Sequence, residues 1–206
     1  MKQLETLLQL EYGVSSVPAP GEVESGDLHL VSTIPGGTLI AVVDGSGHGP
    51  EAALAARSAI ATIEGHRREG VIPLVRRCHE RLKGTRGVVM SLASIDGIES
   101  TVTWLGVGNI EGVLVRTSAS VDPSVETIFL RPGVVGYRLP PLQAVITPIA
   151  AGDLLILTTD GIRNDFTYHF SPEDSPDKIA DYILSNFRKG TDDGLVLVAR
   201  YLGSNE

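Results

Sequence analysis

The chain is poor in cysteine, in long apolar runs and in positive charge. Cys78 is its only cysteine, so no intramolecular disulfide can form. No apolar run approaches the roughly 20 residues of a membrane-spanning helix, and the N-terminal segment lacks the features of a signal peptide. With 17 basic and 25 acidic residues, the net charge is −8, which disfavours general binding to nucleic acid or anionic membranes. These features predict a soluble, cytoplasmic protein that binds neither nucleic acid nor membrane.

The overall composition is that of a globular protein with a sizeable core. Of its 206 residues, 42% are hydrophobic and 20% are charged. No stretch resembles a linker, and no internal repeat or low-complexity segment interrupts the chain. We therefore predict a single domain over residues 1–206.

The order of the expected elements separates two fold classes. Hydrophobic patterns and turn signals predict strands at about 27–33, 38–43, 87–95, 98–106, 111–117, 125–130, 153–159 and 194–201, and helices at about 50–63, 71–83 and 176–188. Residues 1–12 fit either a short helix or an edge strand, and residues 14–26 are rich in Ser, Pro and Gly, which predicts a loop. This order lacks the strict alternation of a parallel doubly wound fold. It favours an α/β protein in which two packed, mainly antiparallel β-sheets are flanked by α-helices.

Four acidic positions lie where apolar strands begin or end. Asp44 and Asp160 each follow an apolar run, whereas Asp27 and the pair Asp192–Asp193 each precede one. In an antiparallel sheet the start of one strand lies beside the end of its neighbour, so these acids can converge on one edge. Converged carboxylates cannot all stay ionised without a cation, and oxygen ligands favour Mg²⁺ or Mn²⁺. The pattern predicts a metal site at one sheet edge.

A glycine-rich loop follows the first strand-ending acid. Residues 44–49 read Asp-Gly-Ser-Gly-His-Gly and precede an Ala-rich helix that starts at Pro50. Glycines let the backbone approach a ligand closely, and the start of a helix offers N–H groups to an anion. Such a loop gives weak support by itself. The segments Thr159-Asp160-Gly161 and Asp192-Asp193-Gly194 at later strand boundaries strengthen it.

This combination resembles the metal-dependent protein serine/threonine phosphatases of type 2C, in their bacterial branch. The matching segments are Gly26-Asp27, Asp44-Gly45-Ser46-Gly47-His48-Gly49, Thr159-Asp160-Gly161 and Asp192-Asp193. The resemblance implies hydrolysis of phosphoserine and phosphothreonine on proteins. Segments 77–79, 83–87 and 106–109 also resemble those of short members that reset the stressosome, a cytoplasmic stress-signalling complex. The resemblance therefore implies that the substrates are phosphorylated STAS-domain proteins of the stressosome. We also expect the chain to act as a monomer.

The resemblance also assigns ligands for two Mn²⁺ or Mg²⁺ ions. Asp44 would bridge both ions, and Gly45 would give a backbone carbonyl to one of them. Asp160 and Asp192 would hold the other ion, Asp192 being preferred to its neighbour Asp193. Asp27 would act through water in the outer shell. Two such ions, about 3.5–4 Å apart, activate a water that attacks phosphorus directly, so no protein nucleophile is required.

Several nearby residues carry two interpretations. His48 could protonate the leaving alkoxide and Asn109 could be catalytic, but both are also typical of turns beside glycine. Asp96-Gly97 and Asp153 are interpreted as turns only.

No arginine precedes Arg57, so the upstream arginine with which many type 2C phosphatases grip phosphate has no counterpart. Phosphate would then rest on metals, water and backbone N–H groups, and protein docking would supply much of the binding free energy.

Two other functions stay open at this point. A pseudophosphatase would bind a phosphoprotein without turnover, although it would not need the complete set of acids. A two-metal phosphoesterase for small molecules is disfavoured by the missing arginine and by the lack of a nucleotide motif. The basic residues on the expected helices are interpreted as a solvated face rather than a docking patch; they are Arg67, Arg68, Arg76, Arg77 and Arg81.

Overall fold

The computed structural model describes residues 8–118 and 124–204 and contains two packed β-sheets between helices. The strands are β1 (Leu8–Val17), β2 (Asp27–Ile34), β3 (Gly37–Gly45), β4 (Val88–Asp96), β5 (Thr101–Val107), β6 (Glu111–Val115), β7 (Val125–Thr127), β8 (Leu130–Arg131), β9 (Val145–Pro148), β10 (Leu154–Thr158) and β11 (Gly194–Ser204). The helices are α1 (Pro50–Gly65), α2 (Val71–Arg81) and α3 (Pro176–Phe187), and a 3₁₀ turn spans Asn164–Phe166. The predicted α/β class with two mainly antiparallel sheets is confirmed.

Each sheet joins strands that are distant in sequence. The first sheet has the order β1-β11-β10-β6-β7, and all its pairs are antiparallel. The second has the order β2-β3-β4-β5-β8, with β9 also pairing with β5. Only the short β5–β8 pair is parallel among the described strands. The antiparallel order places strand starts beside strand ends, as the metal-site prediction requires.

Strand β3 shows how the layers are built. Its apolar run has no polar alternation, because both faces are buried. Ile40 and Val42 face the first sheet in a core shared with Leu155 and Leu197. The alternate residues of β3 pack instead against α1 and α2. The sandwich therefore has four layers, with α1 and α2 on one side and α3 on the other.

Helix α1 follows the glycine-rich loop and fits closely on its sheet. Pro50 occupies the first turn, where a missing N–H is harmless. The buried face is mostly alanine, which allows a close approach; it comprises Ala52, Ala53, Ala55, Ala56, Ala59 and Ile63. No helix in the described residues is long and apolar enough to cross a membrane.

Two sequence-based expectations need correction, and one open alternative is decided. Residues 8–12 belong to an edge strand, which was one of the two alternatives for the N-terminal segment; residues 1–7 lie outside the described residues. Strand β1 continues to Val17, which shortens the loop expected over residues 14–26. The single strand expected at 125–130 is two strands in different sheets. The chain changes sheet at Ile128, which is buried in the core between the sheets and donates its N–H to the Gly112 carbonyl at 2.8 Å.

Candidate metal centre

The acidic strand ends meet at one end of the sandwich. Asp27 lies directly opposite Asp44 in the β2–β3 pair, while Asp160 follows β10 and Asp192 precedes β11, its antiparallel partner. Thr159 joins the two groups, because its hydroxyl donates to Asp27 Oδ2 at 2.7 Å and accepts from Leu195 N at 2.9 Å. The expectation of one sheet edge is wrong in one respect. The acids come from both sheets, since β2–β3 and β10–β11 belong to different layers.

Asp27 is a buried carboxyl group and Asp44 a half-buried one, and neither has a positively charged partner among the described residues. The Asp44 carboxylate makes no hydrogen bond or ion pair within the described residues. Burial, followed by the charges of Asp27 and the neighbouring acids, raises the pKa of Asp44 to about 9. Burial likewise raises the pKa of Asp27 to about 7, although the hydrogen bond from Thr159 opposes this shift. A bound cation would offset the repulsion between the carboxylates and compensate for the hydration that they lose on burial.

The neighbours Asp192 and Asp193 have different surroundings. Asp193 is 3% exposed, and its two carboxylate oxygens accept from Ala19 N at 2.7 Å and Gly26 N at 2.9 Å. Asp193 therefore ties the segment before β2 to the start of β11. Asp192 is half-buried, and its Oδ1 accepts only the N–H of Asp193, at 2.9 Å. Asp192 has more capacity left to bind a cation, in line with the sequence-based preference for it.

Gly45 lies where the loop leaves β3 against α1. Its N–H donates to the Gly26 carbonyl at 3.0 Å, which links the segments that carry Asp44 and Asp27. A Cβ at this position would lie 2.1 Å from the Ala52 carbonyl oxygen. Only glycine lets the backbone approach α1 this closely. The close fit fixes the direction of the adjacent Asp44 backbone.

Asn109 directly contacts one of the predicted ligands. Its Nδ2 donates to Asp160 Oδ2 at 2.7 Å, so the turn residue of the sequence-based alternative also orients a carboxylate. Lys189 Nζ donates to the Asp160 carbonyl at 2.5 Å from the other side. Both residues line a cleft of about 410 Å³ beside Asp160. Of the five aspartates, Asp160 is the one that lines this cleft.

His48 is directed toward a different partner. Its Nδ1 lies 2.8 Å from Glu22 Oε1, and its side chain is 66% exposed. The contact joins the glycine-rich loop to the segment before β2. Among the described residues, the imidazole contacts Glu22 and makes no hydrogen bond to any of the five aspartates.

An arginine that sequence reasoning missed lies at the glycine-rich loop. Arg86 comes from the turn between α2 and β4, and its Nη1 is 2.8 Å from the position that a Cβ on Gly47 would occupy. Its Nε donates to Glu51 Oε2 at 2.6 Å, at the start of α1. The glycine-rich loop thus has a guanidinium beside it, although the upstream arginine is absent. The resemblance included segment 83–87 but gave Arg86 no role, because some forty residues separate Arg86 from the loop.

The donor set suits a hard divalent cation. Within residues 8–118 and 124–204, no three Asp, Glu, His or Cys side chains form a ready-made cage for a metal. The available groups are carboxylate and carbonyl oxygens, which Mg²⁺ and Mn²⁺ prefer, and Mg²⁺ keeps several of its waters when it binds to proteins. Asp44 combines burial with a lack of hydrogen-bond partners, so a cation would satisfy it. These residues fit metals held by few protein ligands.

The larger cleft of the described chain lies away from the acids. It measures about 860 Å³ between α1 and α2 and is lined by Thr62, His66, Arg76, Arg77 and Arg81 among others. The predicted solvated face is therefore concave in part. Size alone does not mark the reactive site here, because this cleft contains neither the unpaired acids nor the glycine-rich loop.

Comparisons with known proteins agree with this site and fold. Residues 34–202 match the family described as Stage II sporulation protein E (SpoIIE). The phosphoserine phosphatase RsbX of Bacillus subtilis (strain 168) is 26% identical over 184 residues, which cover 87% of this chain and 89% of RsbX.

Two solved structures are similar over nearly the whole chain. One comes from work described as "The bacterial stressosome: a modular system that has been adapted to control secondary messenger signaling"; it has a TM-score of 0.83, is 32% identical and covers 93% of this chain and 100% of its own. The other is RsbX in complex with magnesium, with a TM-score of 0.80 and 20% identity over 97% and 98% of the two chains. Because the family match spans most of the sequence, the chain belongs to the family described as Stage II sporulation protein E (SpoIIE).

Proposed function

We propose that the chain is a metal-dependent protein phosphatase that hydrolyses phosphoserine and phosphothreonine on partner proteins. The observation that carries this proposal is the meeting of carboxyl groups from two sheets that have no ion-pair partner among the described residues, with the pKa of Asp44 raised to about 9 by burial and by its acidic neighbours. Such a cluster is unfavourable for stability alone and suits the binding of cations. The similarity to a phosphoserine phosphatase supports the reaction class.

The acids have distinct roles in this proposal. Asp44, the carbonyl of Gly45, Asp160 and Asp192 would hold two Mn²⁺ or Mg²⁺ ions, with Asp44 shared between them and Asp160 and Asp192 on the second ion. Asp27 would act through water in the outer shell. When bound, the ions would activate a water for in-line attack on phosphorus and offset the charge of the transition state. The RsbX structure in complex with magnesium supports the choice of metal.

Residues around the acids hold them in place. Asn109 orients the Asp160 carboxylate, and Thr159 orients Asp27 across the sheets. Asp193 fixes the backbone of Gly26 and thereby the start of β2. Outer partners of this kind usually change metal affinity or activity by about 10–100-fold when they are removed. In this proposal Asp193 therefore supports the site without being a direct ligand.

The proposed substrates are phosphorylated STAS-domain proteins of a stressosome, so that dephosphorylation would reset a bacterial general stress response. The support is the similarity to RsbX and the 32% identity to a chain solved in work on the bacterial stressosome. A protein substrate also agrees with the wide opening beside Asp160, which is a cleft rather than an enclosed pocket. In this proposal the protein acts in the cytoplasm as a monomer.

The binding-only alternative gains no support from the site. A pseudophosphatase would not need every ligand, whereas all the acids expected from the resemblance lie at the same end of the sandwich. A phosphoesterase for small molecules is likewise disfavoured, because the sequence contains no nucleotide-binding motif.

The proposal can be tested with a phosphorylated STAS-domain stressosome protein as substrate. Phosphate release should require Mn²⁺ and should be lost in Asp160→Asn. Asp96→Asn is a matched control, because Asp96 also precedes a glycine but accepts N–H groups from Ile98 and Glu99 in a turn. Retention of metal-dependent release in Asp160→Asn would overturn the proposal. Binding of the phosphoprotein without any release would instead support the pseudophosphatase.

A further inference from the structure

We propose that Arg86 and the backbone around Gly47 form the subsite that holds the phosphoryl group of the substrate. This inference rests on the proposed phosphatase function and adds a residue that directly contacts the substrate. The sequence lacks the upstream arginine expected for this purpose, since none precedes Arg57. The fold instead brings a guanidinium to the glycine-rich loop from the turn between α2 and β4.

The backbone around Arg86 is fixed to the loop. Ser46 N donates to the Gly87 carbonyl at 3.1 Å, which joins the turn directly to the segment after Asp44. Thr85 stabilises the turn itself, because its hydroxyl donates to the Leu82 carbonyl at 2.7 Å and accepts from Gly87 N at 3.0 Å. Arg86 therefore starts from a defined position beside the glycine-rich loop rather than from a free surface loop.

The guanidinium lies over a backbone that has no side chain. Gly47 has φ +87°, and a Cβ there would be 2.8 Å from Arg86 Nη1. Any other residue at position 47 would displace the guanidinium and strain the backbone. Glycine at this position thus gives Arg86 access to the loop two residues beyond Gly45, whose carbonyl belongs to the proposed metal centre.

The bonding of Arg86 leaves donors for an anion. Its Nε is directed by Glu51, whereas Nη1 and Nη2 make no hydrogen bond within the described residues. The two Nη groups of a guanidinium match the oxygens of a phosphoryl group in a planar, bidentate contact. Glu51 orients the fork and is itself 72% exposed, so water screens its competing charge.

The charge around the site favours a cationic residue for this purpose. A phosphorylated side chain must approach a cluster of five aspartates in a chain of net charge −8. Lys189, the cation on the other side of Asp160, is held by the Asp160 carbonyl and belongs to the cleft wall. Arg86 lies instead at the glycine-rich loop, where its Nη1 is next to the backbone of Gly47.

The test compares two arginines in similar surroundings. Arg86 and Arg77 each have a side chain 49% exposed and each pair with a glutamate, but Arg77 lies on α2 with Glu69, away from the acids. Inorganic phosphate is titrated calorimetrically into the Mg²⁺-loaded protein, and melting temperatures confirm that the variants are folded. Arg86→Ala should weaken phosphate binding about 10–100-fold, the usual worth of hydrogen bonds to a charged group. Arg86→Lys should recover part of this loss, and Arg77→Ala should match the wild type.

Each outcome separates this inference from the proposed function. Wild-type phosphate affinity in Arg86→Ala, an equal loss in Arg77→Ala, or no phosphate binding by the wild type would overturn the subsite. If phosphoprotein hydrolysis is metal-dependent and normal in Arg86→Ala, the function stands and the subsite is wrong. If no phosphoprotein is hydrolysed but phosphate binding depends on Arg86, the subsite stands and the proposed function is wrong.

Discussion

The two ends of strand β10 carry aspartates that look alike in sequence and differ in their surroundings. Asp153 precedes the strand and is 1% exposed. Its carboxylate accepts from Arg116 Nη1 at 2.9 Å, Ala150 N at 2.9 Å and Thr117 N at 3.1 Å. Asp160 follows the strand, is half-buried and joins the group in which Asp44 has no cationic partner among the described residues. An acid at a strand end is therefore structural at one end and points to a ligand at the other.

The difference is the presence of a cation within the fold. Arg116 binds both Asp153 and Glu126 and also donates to the Pro148 carbonyl at 2.6 Å, so the buried carboxylate at that end of the sandwich has a cationic partner within the fold. The other end leaves Asp27 and Asp44 to be neutralised by protons or by bound ions. Unsatisfied charge, rather than burial or strand position, distinguishes the functional acids.

Removing the cation from the neutral end should give the largest loss of stability. Arg116→Met leaves Asp153 buried without its ion-pair partner, as Asp44 is in the metal-free protein. Breaking a buried ion pair typically costs about 3–5 kcal/mol, which lowers the melting temperature of a domain of this size by roughly 6–20 °C. Thermal unfolding in EDTA measures the change. A shift no larger than that of Arg77→Ala, which breaks an exposed pair, would contradict the comparison.

Neutralising the acidic end should have opposite effects on stability and activity. Asp44→Asn removes the carboxyl group whose pKa is raised to about 9 by burial and acidic neighbours, so the metal-free protein should become more stable above neutral pH. Phosphatase activity should fall by more than about 100-fold, the upper end of the loss for an outer partner of a metal site. Unfolding in EDTA and phosphate release in Mn²⁺ measure the two effects. A loss of both stability and activity would indicate a structural role instead.

Sequence reasoning found the acidic end because its signal is local. Each acid adjoins an apolar run, and the antiparallel order of the strands makes neighbouring ends meet. The α/β class could be predicted for the same reason, since runs such as 39–43 lack alternation only when both faces are buried. Sequence reasoning could not predict that the acids belong to two sheets, because the face-to-face packing of the sheets does not affect the spacing of Asp27 and Asp160 in the sequence.

The residues that contact the acids could not be predicted from the sequence. Arg116 neutralises Asp153 across separate strands, Thr159 contacts Asp27 across 132 residues of chain, and Arg86 reaches Gly47 from another turn. Asn109 could be singled out beside its glycine, but its bond to Asp160 depends on the pairing of β6 with β10. Tertiary contacts decide which turn residues join the site.

The smallest of these effects is a pH dependence of stability confined to the acidic end. In the metal-free protein the pKa of Asp44 is raised from 3.8 to about 9 and that of Asp27 to about 7, in both cases chiefly by burial. Between the ordinary value and these raised values, the folded protein holds protons that the unfolded chain has lost. The free energy of unfolding therefore falls as the pH rises through this window.

Melting temperatures in EDTA between pH 5 and pH 8.5 test this dependence. The wild type should lose several degrees more than Asp44→Asn across that range, because the asparagine has no proton to release. Mg²⁺ should restore the wild type most strongly at high pH, since a divalent cation binds the ionised carboxylates and replaces their protons. Equal slopes for the wild type and Asp44→Asn, with no pH dependence in the stabilisation by Mg²⁺, would mean that Asp44 is already neutralised within the fold, as Asp153 is at the opposite end of β10.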